Sequence, residues 1–95
     1  YFKHAFGITT FEGKAEEVKL SFNKIQKAYV LTQPLHESQE IISETDNELV
    51  IKLNVGITVE LRMSILSFGE NVRVLSPNSL KKDIKDRMVK ALEVY

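Results

Sequence analysis

The stretch "LSFGENVRVLSPNSLKK", Leu66 to Lys82, decides the fold, because it holds the end of one helix, a short strand and the start of another helix. Gly69 stands where helices commonly finish in a left-handed residue, a conformation glycine adopts without steric cost. "NVRVL" then alternates, with Val72 and Val74 on one side and Arg73 on the other, as a half-buried strand does. Pro77 stops that strand, and Asn78 or Ser79 can cap a third helix. The competing reading is a phosphate-cradling loop. Such a loop needs glycines between a strand and a helix N-terminus, where N–H groups and the helix dipole face the anion. Gly69 closes a helix instead, at the end whose dipole has the wrong sign. Lys81 and Lys82 lie near the next helix start, but no glycine there lets an anion approach. The stretch is punctuation.

Working outward, "EEVKLSF" turns Val18, Leu20 and Phe22 to one side and Glu17, Lys19 and Ser21 to the other, a first strand. Asn23 can cap the helix "KIQKAYVLTQ", which places Ile25, Ala28, Tyr29 and Thr32 on one face and ends before Pro34. "SQEIISET" and "ELVIKLNV" read as two strands joined across Asp46 and Asn47, residues that tolerate the left-handed conformation of a tight hairpin. Thr58 caps a second helix, "VELRMSILSF", with Leu61, Ile65, Leu66 and Phe68 as its apolar stripe. The third helix carries Leu80, Ile84, Met88, Ala91 or Leu92, and Tyr95 at spacings of three and four. The resulting order, β-α-β-β-α-β-α, predicts an α+β protein. Its first six elements suit a ferredoxin-like antiparallel sheet with two helices on one face, to which a C-terminal helix and an N-terminal arm are added. Residues 1–14 read as the arm and residues 15–95 as the domain.

Composition narrows the function. With 95 residues the chain is one domain with a thin core. Thirteen basic and thirteen acidic residues balance to zero net charge, which excludes a surface that traps nucleic acid as a whole. The absence of cysteine removes disulfides, thiolate zinc sites and a cysteine nucleophile together. No apolar run approaches the ~20 residues that a membrane span needs, and no signal-peptide pattern opens the chain. A cytoplasmic protein is expected. The chain begins at Tyr1 and reads as part of something longer.

Catalysis finds little support in the residues. His4 and His36 lie in different segments, and Glu37 and Ser38 follow His36 too closely on an extended chain to form a triad with it. His36 is expected to order the turn before the second strand. No histidine–carboxylate spacing suggests a metal, and no cofactor is expected. The strand alternation does gather one cluster. Lys19, Lys52 and Arg73 fall on the outward face of three neighbouring strands in the order 4-1-3-2, where they could meet a single anion, a small ligand or single-stranded nucleic acid. Against this, Glu17 shares the face, no outward aromatic offers a base-stacking platform, and the last helix could pack across it beside Val50 and Leu75. A second candidate surface is apolar: Met88 and Tyr95 on the last helix, with Phe2 and Phe6 in the arm, exceed what a thin core can absorb.

A helix ending "ILSFG", the strand "NVRVLSP" and the closing helix "NSLKKDIKDRMVKALEVY" together resemble the C-terminal end of bacterial WYL-domain transcriptional regulators. "VKLSF", a helix and "PLHESQE" resemble the earlier half of the same WCX-type extension. "FKHAFGI" resembles the segment leading out of the WYL domain, so the likeness covers nearly the whole chain. The WYL tripeptide is absent from it. The resemblance implies a non-catalytic regulatory and dimerisation module. Its expected partners are a second copy and the upstream WYL and helix-turn-helix domains. The parent would bind DNA, and a nucleic acid or small molecule would act as effector.

Overall fold

The computed structural model describes residues 15–95, and within them the elements follow in the expected order. Strand β1 spans Glu16–Asn23, helix α1 Lys24–Thr32, β2 Glu40–Glu44 and β3 Glu48–Val55. Helix α2 spans Val59–Ser67, β4 Val72–Ser76 and α3 Asn78–Val94. The four strands form one antiparallel sheet in the order β2-β3-β1-β4, which is 4-1-3-2 read from the other edge.

Alternation positions the sheet. Val18, Leu20 and Phe22 of β1, Leu49, Ile51, Leu53 and Val55 of β3, and Val74 of β4 all belong to one buried cluster. The same cluster takes Val30 from α1, Leu61 and Ile65 from α2, and Leu80 and Ile84 from α3. Phe22 and Phe68 meet edge to face in it, with ring centroids 5.0 Å apart. All three helices therefore supply the core that lies against the inward residues of the sheet.

Local chemistry sets most element ends. The Asn23 side chain accepts from the Gln26 N–H at 3.1 Å, and the Thr58 hydroxyl accepts from the Leu61 N–H at 3.1 Å, so both helices begin at their expected caps. Gly69 takes φ +59°, just past the Phe68 cap of α2. Three expectations change. The hairpin between β2 and β3 needs no left-handed residue, because no non-glycine among the described residues has positive φ. A three-residue connection closes instead through the Thr45 N–H to the Glu48 carbonyl at 2.8 Å. Helix α3 starts at Asn78 itself, with the extended Pro77 before it and no side-chain cap, so neither Asn78 nor Ser79 serves as one. Helix α1 is turned the other way round. Ile25 and Tyr29 are exposed, at 77% and 43%, while Val30 is buried. Lys27, one turn before Val30, reaches the β2–β3 hairpin, 3.0 Å from the Glu44 carboxylate. Anchoring that side of the helix leaves the expected apolar face outward.

Candidate functional site

The outward face of the sheet is open to the described helices. Helix α3 packs against β4 and α2 and sends Leu80 and Ile84 into the inner core, so it does not lie beside Val50 and Leu75 on the outer face. Burial of Leu80 and Ile84 holds it there, and the ion pair between Arg62 on α2 and Asp83 on α3 at 2.7 Å, which Arg87 joins at 3.3 Å from Asp83, lies beside that contact.

On the open face the register decides which charges meet. Lys19 stands directly opposite Lys52 across β1 and β3, while Arg73 stands opposite Ser21, further along β1. The structure brings the two lysines together and leaves the arginine apart. Each cation has a carboxylate near it. Glu17 lies 3.8 Å from Lys19 and 4.0 Å from Lys52, and Glu40 lies 3.8 Å from Lys52. Arg73 lies 3.8 Å from Glu48. Two like charges opposite each other repel, and Glu17 between them offsets that repulsion. An incoming anion would compete with Glu17, in a solvated setting where each such contact is weak.

Around Arg73 the face carries a second, polar group that residue spacing alone did not expose. The nearly buried Ser21 hydroxyl donates to Glu48 Oε2 at 2.5 Å, and the Asn23 amide donates to Asn71 Oδ1 at 2.7 Å. These pairs join residues 27 and 48 positions apart in the chain, so only the tertiary structure reveals them.

His36 does what its position before β2 suggested. The Ser38 N–H donates to His36 Nδ1 at 3.0 Å, which makes Nδ1 an acceptor, and the Ser38 hydroxyl lies 2.8 Å from the same nitrogen. The Asn54 N–H in turn donates to that hydroxyl at 2.9 Å. The imidazole thereby ties the turn to β3. No group of histidine and acidic side chains able to hold a metal ion occurs among the described residues. No helix among them is long and apolar enough to cross a membrane.

The apolar candidate surface lies on α3. After Ile84 every residue of that helix is exposed, including Val89, Leu92 and Val94. Met88 is 36% exposed, and Tyr95, just past the helix, is wholly in solvent. Phe2 and Phe6 lie outside the described residues. Met88 lines the same groove as Ile84, in keeping with the periodicity, while Tyr95 lies past the end of the helix, and the core ends before it reaches either.

A family model described as the WCX domain matches residues 14–92. No curated protein matches the chain.

Proposed function

The chain belongs to the WCX-domain family, and from that premise we propose that it is a non-catalytic regulatory and assembly module of a bacterial WYL-type transcriptional regulator. In this reading two copies associate through the far end of α3. The module passes effector occupancy in the WYL domain to DNA-binding domains upstream, in the cytoplasm. The order β-α-β-β-α-β with strands 4-1-3-2 supports a ferredoxin-like domain over residues 15–95. Residues 1–14, read as the arm from the WYL domain, lie outside the described residues.

One observation carries the proposal. The second half of α3 sends no residue into the core and leaves Val89, Leu92 and Val94 49%, 74% and 84% exposed. Unsatisfied apolar surface of this kind marks an interface. Light scattering over a range of concentrations tests it: a mass that doubles as concentration rises is expected, and a monomer throughout would move assembly to other domains.

A second reading has one observation in its favour, the juxtaposition of Lys19 and Lys52 on an open face. It makes this face a weak site for phosphate groups of a small ligand or single-stranded nucleic acid. Titration with a short oligonucleotide at low and high salt separates the two readings, since phosphate contacts of this type fade with salt.

A further inference from the structure

The strand order leaves β4 at an edge of the sheet, where one side of its backbone meets no other strand among the described residues. Helix α3 returns alongside it. Between the two runs a groove of about 370 Å³. Its floor is apolar, formed by Val74, Ile84, Met88, Val89 and Leu92. Its charged lining residues are Arg73, Lys81 and Lys85, and no acidic side chain lines it. Among the described residues, neither Lys81 nor Lys85 has a carboxylate within salt-bridge distance.

We propose that this groove is a strand-addition site for an extended acidic segment of a partner protein, in which apolar residues alternate with aspartate or glutamate. An extended backbone suits this edge of β4, which no other strand pairs among the described residues, because a strand satisfies a row of N–H and C=O groups. An extended segment places every second side chain on one face, so its apolar residues enter the groove between β4 and α3. The residues between them turn outward, where their carboxylates face Arg73, while Lys81 and Lys85 add a positive field on the helix side of the groove that favours an acidic segment. Strand β4 is five residues long, which sets the length of the paired segment.

Charge selects this occupant over a second copy paired through its own β4. A two-fold arrangement would bring two sets of Arg73, Lys81 and Lys85 to one seam, and like charges there oppose association. The groove shares Met88, Val89 and Leu92 with the apolar stripe of α3 but not Val94 or Tyr95, so Val94→Asp with Tyr95→Asp separates strand addition from self-association.

The test uses the full chain, isotopically labelled for amide NMR, and a synthetic peptide of alternating valine and glutamate. Saturable shifts confined to Val72–Ser76 and to α3 between Lys81 and Leu92 are the expected result. Replacing glutamate by lysine in the peptide abolishes them. Methylating the peptide's backbone nitrogens along its pairing edge does so too, because strand addition needs those N–H groups. Lys81→Glu combined with Lys85→Glu weakens binding at least ~10-fold. Both lysines are exposed, and the amide spectrum of that variant verifies its fold. The proposal is overturned if no saturable shift occurs at ~1 mM peptide, which would already reveal weak binding. It is equally overturned if shifts fall on the Lys19 and Lys52 face, or if the methylated or lysine-bearing peptide binds as well.

Discussion

Replacing Ile84 by alanine should be among the most destabilising single changes on α3, although the helix lies at the edge of the fold. Ile84 is 4% exposed and belongs to the same cluster as Leu20, Ile51 and Leu61. The change removes three buried carbon groups, at about 0.8 kcal/mol each, or about 2.4 kcal/mol of transfer free energy. The cavity left behind raises the expected loss to about 3 kcal/mol. A domain of this size has a total stability of about 5–14 kcal/mol, so the loss is a large share of it. In urea, with a slope of about 1.5 kcal/mol/M, the midpoint should fall by about 2 M. Met88→Ala is the control, one turn along the same stripe but 36% exposed and on the floor of the open groove. Its loss should stay below about 1 kcal/mol. Less than about 1 kcal/mol at Ile84 would show that α3 is not part of the core, and an equally large loss at Met88 would show that the core reaches it, and either would undo the placement of the groove.

Gly69→Ala should cost about 1 kcal/mol through backbone strain alone, since φ is +59° and an added Cβ would meet nothing within 4 Å; chemical denaturation of the two proteins reads it directly. Asn23→Ala removes both the cap of α1 and the contact with Asn71, and should lower stability by about 1–2 kcal/mol, with amide exchange faster in the first turn of α1. His36→Ala should loosen the turn before β2 at a cost of about 1 kcal/mol, and unchanged exchange at the Ser38 and Asn54 amides would contradict the network described for it. If the end of α3 joins two copies, Val94→Asp with Tyr95→Asp should hold the chain at monomer mass without lowering its melting temperature, because both residues are exposed.

Strong local patterns were legible without the structure. The period-two runs of β1 and β3 announced which side chains face inward, and Leu49, Ile51 and Leu53 do so. Asn23, Thr58 and Gly69 marked element ends because their chemistry at those ends is local. The weak periodicity of α1 misled, since a nine-residue helix carrying Ile25, Tyr29, Val30 and Leu31 offers apolar residues on more than one side. Its rotation is settled by Lys27 reaching the hairpin and by Val30 entering the core, both contacts with distant parts of the chain.

The candidate site divides the same way. That Lys19, Lys52 and Arg73 share the outward face follows from alternation, a property of each strand taken alone. How they are grouped depends on register, which puts Lys19 opposite Lys52 and Arg73 opposite Ser21, and on the carboxylates that the pairing brings alongside. The groove was harder still to foresee. Sequence periodicity determined that Leu80, Ile84 and Met88 share a stripe, but the reach of the core along α3 is a matter of packing. Leu80 and Ile84 seat the first half of the helix in the core beside Val74 of β4, the sheet ends at that strand, and the rest of the stripe is left largely facing solvent. Periodicity is written in neighbouring residues, whereas burial depends on what the rest of the chain has room to cover.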